Sequence, residues 1–236
     1  MEHDSCKQER SGSATPGIRG AVIGSLCYAL FMALLLFVSA GTLDWPMAWI
    51  FLAASLIIFL AGIVCTDPAL TAERSRRHGD SRRWDRTLVS AIVLLGLLVL
   101  VVAGLTHRLV SEGQVPPLFQ VVALIIMILG NGLVIRATRT NTFFSATFRI
   151  QNDRGHTVVS TGPYRYVRHP GYVGMIASTI FQPLILGSVW ALLPAIIAVA
   201  LFVIRTYLED KALCAELGGY RDYASGVRYR LIPGVW

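Results

Sequence analysis

Long apolar segments separated by short polar ones dominate the chain, and they predict an all-α protein that spans a membrane several times. A helix needs about 20 apolar residues to cross the hydrocarbon core. The pattern predicts about six spans, at residues 21–40, 47–65, 87–105, 117–135, 172–186 and 190–207. The fifth is short and forms a helical hairpin with the sixth through Gly187 and Ser188, so we expect it to be tilted or re-entrant.

The polar ends of the chain complete the predicted organisation. Residues 1–17 are rich in Ser, Gly and charged residues, which predicts a disordered tail. Residues 18–236 then form a single membrane domain, which ends in an amphipathic, mostly helical segment at residues 210–236.

Composition agrees with the membrane assignment, because 54% of the residues are hydrophobic and only 15% are charged. A soluble domain carries about 25% charged residues. The net charge of +7 reflects topology rather than nucleic-acid binding, since six spans place 20 of the 21 basic residues on one side and only Arg108 on the other. The positive-inside rule makes that side cytoplasmic, with both termini inside. The expected location is a prokaryotic-type inner membrane.

Residues 151–174 form the most chemically capable segment between the apolar runs. Its glycines allow the backbone to approach a ligand closely, and Pro163 and Pro170 interrupt helix. Its tyrosines offer flat faces, while Arg168 and His169 supply a permanent and a switchable charge. The plainer interpretation is an ordinary loop that anchors a membrane protein.

Arg205 and Glu209 lie four residues apart near the end of the last predicted span, so they share one helix face. Ionisable groups at this depth are costly and usually face a cavity or a partner. A snorkelling arginine beside a solvated acid is the structural alternative. Because the helix is one hairpin away from the polar segment, we expect both to build one composite site.

The residue types of this site limit what it binds. The chain has neither a phosphate-binding loop nor a dinucleotide fingerprint. His156, His169 and Asp153 are possible metal ligands, but their spacing does not require a metal, and none is expected. Aromatic rings, an acid and glycines suit a ligand with a flat base, hydroxyls and a positive charge.

The segments 156–164 (HTVVSTGPY) and 168–174 (RHPGYVG), followed by the Arg205-x-x-x-Glu209 pair, resemble the isoprenylcysteine carboxyl methyltransferase family. The wider group includes phospholipid and small-thiol methyltransferases of membranes. The closing segments 219–223 and 232–234 are also similar, so the likeness covers about residues 130–236, the motif-bearing half of the domain.

The resemblance implies an enzyme that uses S-adenosylmethionine, bound on the cytoplasmic side. It implies that Arg205 faces the methyl acceptor and that Arg205 and Glu209 are the catalytic pair. One difference stands out: the usual Glu-Glu pair is Glu209-Asp210 here. The implied cofactor contacts are Gln151, His156, Thr157, Val158, Val159, Tyr164, His169, Pro170, Gly171, Tyr172 and Glu209.

The acceptor stays open at this stage. A carboxylate, such as that of a prenylated cysteine, needs no base, whereas an amine or thiol needs a proton removed by a group such as His169 or Glu209. A lipidic acceptor would enter sideways from the bilayer between the last helices, while the polar cofactor would come from the cytoplasm. A sterol-type NADPH-dependent membrane reductase and a non-enzymatic lipid-binding protein are the alternative functions.

Overall fold

A computed structural model describes residues 18–75, 81–110 and 115–236. Over these residues the chain is helical and contains no strand, which confirms the all-α prediction. The predicted tail at residues 1–17 lies outside the described residues. The helices are α1 (Ile18–Ala40), α2 (Pro46–Cys65), α3 (Pro68–Ser75), α4 (Arg83–Leu109), α5 (Pro117–Thr140), α6 (Pro170–Ile185), α7 (Leu192–Glu216) and α8 (Tyr220–Gly226), with 3-10 turns at Asn152–Arg154 and Gly162–Arg165.

Among the described residues, five helices are long and apolar enough to cross a membrane: α1 from Gly20 onward, α2, α4, α5 and α7. This confirms a polytopic membrane protein. Helix α6 has only 16 residues and is shorter than a usual span. Six spans therefore remain a prediction.

The turn between α6 and α7 nevertheless reaches the far end of the helix bundle. Ser188 in this turn donates a hydrogen bond of 3.0 Å to the hydroxyl of Thr106, near the end of α4. Close to Thr106 in sequence, His107 stacks on Trp45 at the start of α2, with 4.1 Å between ring centroids. The α6–α7 turn thus lies beside the α1–α2 turn, and the first residues of α6 lie at the opposite end, where the polar segment gathers.

Helices α4, α5 and α7 extend beyond their predicted bounds at that polar end. Helix α4 begins at Arg83 rather than at residue 87, α5 continues to Thr140, and α7 continues to Glu216. Apolar patterning fails to locate these turns because they carry charged residues. Contacts between helices stabilise those charges, as described below for Asp85 and Asp210.

Helices α5 and α6 approach each other closely, and this approach fixes where α6 begins. A Cβ atom added to Gly174 would lie 2.2 Å from the carbonyl oxygen of Gly130, so the backbones touch where neither residue has a side chain. The main apolar core lies toward the other end of the bundle. Its fully buried members include Leu36, Ala48, Leu100, Ala103 and Ile185.

Candidate active site

A cavity opens at the polar end of the bundle, where α3, the polar segment and the last turns of α7 meet. Its wall combines parts of the chain that are far apart in sequence, and it contains basic, acidic and aromatic side chains. It is lined by Arg74, Asn141, residues 143–149, residues 156–159, Tyr164, Arg168, His169, Gly171, Tyr172, Met175, Arg205, Glu209, Leu213, Leu217, Tyr220 and Tyr223.

The structure brings most of the predicted site residues together on this wall. Those that line the cavity are His156, Thr157, Val158, Val159, Tyr164, His169, Gly171, Tyr172, Arg205 and Glu209. Gln151 and Pro170 are not among the lining residues, although Pro170 directly precedes Gly171 at the start of α6. The roles of all twelve residues toward a ligand remain predictions.

Glu209 presents a carboxylate to the cavity and is held by residues of the α6 start. The hydroxyl of Tyr172 donates a hydrogen bond of 2.6 Å to Glu209 Oε2, and His169 Nδ1 lies 3.7 Å from Oε1. The His169 and Tyr172 rings are stacked, with centroids 5.7 Å apart and an angle of 12° between planes. Glu209 is the single acidic side chain among the described residues that line the cavity.

Arg205 also lines the cavity, but its partner is Asp85 of α4 rather than Glu209. Its Nε lies 2.6 Å from Asp85 Oδ1, and its Nη2 lies 3.2 Å from Oδ2 and 3.0 Å from the Ala146 carbonyl oxygen. The backbone N–H of Phe148 donates to the same carboxylate at 2.6 Å. The guanidinium lies 5.1 Å from the centre of the Tyr172 ring. Nη1 has no hydrogen-bond partner among the described residues.

Asp210, which follows Glu209, faces away from the cavity and anchors several segments. Its carboxylate accepts a hydrogen bond of 2.9 Å from Tyr220 and lies 3.1 Å from Arg168 Nη1 and 2.8 Å from Arg230 Nε. His169 Nε2 is 3.3 Å away. This side chain is 2% exposed. Asp210 therefore joins the α6 start, α8 and the C-terminal segment behind the cavity wall.

The C-terminal segment also pairs with the residues just before α6 through the backbone. The N–H of Arg168 donates to the Tyr229 carbonyl at 2.9 Å, and the N–H of His169 donates to the Arg230 carbonyl at 3.0 Å. These bonds fix the orientation of the His169 ring between the two carboxylates of α7.

Gln151 is fully buried, and its amide organises the loop that carries His156. Its side-chain nitrogen donates 2.7 Å to the Phe143 carbonyl, and its oxygen accepts from Arg154 at 2.5 Å. Its backbone N–H donates to His156 Nδ1 at 3.3 Å. Burial and the nearby Arg149 and Arg154 lower the pKa of His156, so its imidazole is neutral at pH 7 with the proton on Nε2.

Aromatic side chains make up much of the remaining wall. The Phe144 ring lies so close to Gly171 that an added Cβ would be 2.5 Å from it, so a larger residue there would have to displace the ring. The Tyr223 hydroxyl donates to the Tyr164 carbonyl at 2.7 Å. Burial raises the pKa of both tyrosines, which keeps their hydroxyls protonated and able to donate.

Sequence reasoning missed two residues of the site: Asp85, the partner of Arg205, and Arg74. Asp85 sits among six arginines at residues 74–86, and an isolated acid just before an apolar run was the available signal. Arg74 was one of those arginines and gave no signal of its own. In the structure it lines the cavity from α3, with its guanidinium 5.2 Å from the Phe144 ring centre.

Comparison with known proteins adds a similarity to one protein family. No curated protein matches the chain. The model of the isoprenylcysteine carboxyl methyltransferase (ICMT) family matches residues 121–215, from α5 to the last turn of α7. That range contains the cavity-lining residues of the polar segment together with Arg205 and Glu209. The match confirms the resemblance predicted from the sequence, and similarity to this family over residues 121–215 supports a membrane methyltransferase.

Proposed function

We propose that the protein transfers a methyl group from S-adenosylmethionine to a lipidic or small acceptor, with the carboxylate of a prenylated cysteine-like molecule as the favoured acceptor. The observation that supports this proposal most is the position of the Glu209 carboxylate. It lies in an aromatic-lined cavity and is bound by Tyr172 and approached by His169, with no arginine or lysine at ion-pair distance among the described residues. Such a carboxylate favours a cationic ligand.

The residues that line the cavity fit the proposed methyl donor, S-adenosylmethionine. It combines a flat base, hydroxyls, an amino acid group and a sulfonium cation, and the cavity offers aromatic faces beside a carboxylate. When bound, it supplies a methyl carbon that the acceptor attacks as the carbon–sulfur bond breaks. The chain contributes mainly alignment and exclusion of water, and positioning of this kind contributes about 7–11 kcal/mol in intramolecular reactions.

Arg205 is the proposed acceptor-facing residue. Asp85 and the Ala146 carbonyl hold two of its three nitrogens, so its remaining donor, Nη1, has a fixed direction. A carboxylate acceptor needs only such an orienting donor, because it is already ionised. An amine or thiol acceptor would need His169 or Glu209 to take a proton.

Binding measurements on the purified protein test this proposal. S-adenosylhomocysteine should bind to wild type, and NADPH should not. Glu209→Gln should weaken binding about ten- to a hundredfold, since a hydrogen bond to a charged group contributes about 1.5–3 kcal/mol. His169→Ala and Tyr172→Ala should also weaken it. Arg108→Ala, at the other end of the bundle, is the matched control. Tight NADPH binding would support the reductase, and binding of neither nucleotide would support the lipid-binding alternative.

A further inference from the structure

The arginines that line the cavity differ in one respect, namely whether an acid neutralises them. Three have carboxylate partners at 2.6–3.1 Å: Arg149 with Glu73 and Asp153, Arg168 with Asp210, and Arg205 with Asp85. Arg74 has no acidic partner among the described residues.

The contacts of Arg74 are weak ones. Its Nη1 lies 3.5 Å from the Thr138 hydroxyl, at the limit of a hydrogen bond, and its guanidinium stacks on the Phe144 ring. Burial lowers the pKa of Arg74, and no carboxylate among the described residues offsets that effect. A partly buried cation that lacks a counter-ion is costly unless a ligand supplies one.

Arg74 also lines the cavity close to the start of α6. Phe144, on which it stacks, packs against Gly171 at the start of α6, and Thr138 follows Ala137, whose carbonyl accepts from Tyr164. Judged by the described residues, the cavity wall therefore carries one arginine without an acidic partner, Arg74, and one acid without an arginine partner, Glu209. A ligand with both a cationic and an anionic group would complement the pair.

We propose that Arg74 binds a carboxylate of a ligand in this cavity. Two ligands carry that group: the donor, through its amino acid moiety, and a carboxylate acceptor. The proposal rests on the proposed function, because it assumes that these are the ligands. Its chemistry is the planar pairing of guanidinium and carboxylate through two hydrogen bonds.

Calorimetry with two nucleosides shows whether the carboxylate that Arg74 binds belongs to the donor. S-adenosylhomocysteine carries the amino acid carboxylate, and 5′-methylthioadenosine is the same thioether nucleoside without that group. Arg74→Gln should lower the affinity for S-adenosylhomocysteine at least about tenfold and leave that for 5′-methylthioadenosine unchanged. Arg74→Lys keeps the positive charge and should therefore recover part of the lost affinity for S-adenosylhomocysteine. Such recovery shows that the loss in Arg74→Gln is not caused by misfolding. Arg139→Gln, an exposed arginine beside Thr138, is the matched control.

The second possible source, a carboxylate acceptor, is tested with N-acetyl-S-farnesylcysteine as the methyl acceptor. If Arg74 holds the acceptor carboxylate, Arg74→Gln raises the KM for this probe and keeps wild-type affinity for S-adenosylhomocysteine. Unchanged affinity together with an unchanged KM would overturn the inference while leaving the proposed function intact. Wild-type protein that binds neither nucleoside would overturn the proposed function, and this inference with it.

Discussion

Arg205 and Asp85 form a buried ion pair with two contacts, Nε to Oδ1 at 2.6 Å and Nη2 to Oδ2 at 3.2 Å. The pair joins α7 to α4, which lies outside the segment that matches the family model. Since Asp85 is fully buried and Arg205 nearly so, neither charge is compensated by water. The direction of the remaining Arg205 donor therefore depends on α4.

Replacing Arg205 should separate acceptor from donor binding. We expect Arg205→Ala to keep nearly wild-type affinity for S-adenosylhomocysteine and to abolish turnover. Arg205→Lys should rescue turnover only partly, because an ammonium cannot hold both Asp85 oxygens and keep a donor in the same direction. Calorimetry and methyl-transfer rates on the same preparations check this. Loss of affinity in step with loss of turnover would instead make Arg205 a structural partner.

Replacing Asp85 should act through Arg205. Asp85→Asn removes the negative charge, so we expect turnover to fall and the acceptor KM to rise while affinity for S-adenosylhomocysteine is kept. In a double-mutant cycle, Asp85→Asn should cost less turnover on the Arg205→Lys background, which keeps measurable activity, than on the wild-type background. Asp44→Asn, an exposed acid in the α1–α2 turn, is the control. Additive effects in the cycle would argue against a positioning role.

Asp210 should contribute to stability rather than to ligand binding. Its carboxylate forms ion pairs with both Arg168 and Arg230, and breaking a buried pair costs about 3–5 kcal/mol. We expect Asp210→Asn to lower the thermal unfolding temperature in detergent. Asp222→Asn, at an exposed position of α8, should leave it unchanged. A variant with wild-type stability and lost affinity for S-adenosylhomocysteine would contradict this assignment.

Two glycine-to-alanine changes in neighbouring helices should have opposite signs. Gly174→Ala places a methyl 2.2 Å from the Gly130 carbonyl oxygen, and such overpacking costs about 1–3 kcal/mol. Gly132→Ala has no atom within 4 Å and should stabilise α5 by up to about 1 kcal/mol, since alanine is the better helix former. Thermal unfolding of both variants checks the contrast. Equal effects would mean that α5 and α6 are not in backbone contact.

The topology that we propose places both termini and the cavity on the cytoplasmic side. In a cysteine-free background, Asp222→Cys in α8 should resist a membrane-impermeant thiol reagent added to intact cells, whereas Asp44→Cys should react. Both positions are exposed, so the membrane alone sets the difference. Labelling of Asp222→Cys from outside would reverse the orientation.

The sequence by itself determined the features that depend on local order. Apolar runs long enough to span a lipid core locate the main helices, apart from the charged turns that extend α4, α5 and α7, because such runs have no other stable arrangement in a membrane. The order of motifs from His156 to Glu209 was enough to indicate the resemblance that the family model confirms over residues 121–215. The tight approach of Gly174 to Gly130 could not be derived in this way, because it depends on which helices are neighbours.

Only the tertiary structure decided the charge partners. Arg205 and Glu209 share a helix face, yet Arg205 pairs with Asp85, which is 120 residues away in sequence. Asp210 differs from its neighbour because its side chain points toward Tyr220 and Arg230 rather than into the cavity. Arg74 became distinct from five nearby arginines only once its surroundings were known. The physical reason is that a charge is stabilised by whatever lies within a few ångströms, and helix packing rather than sequence order sets those neighbours.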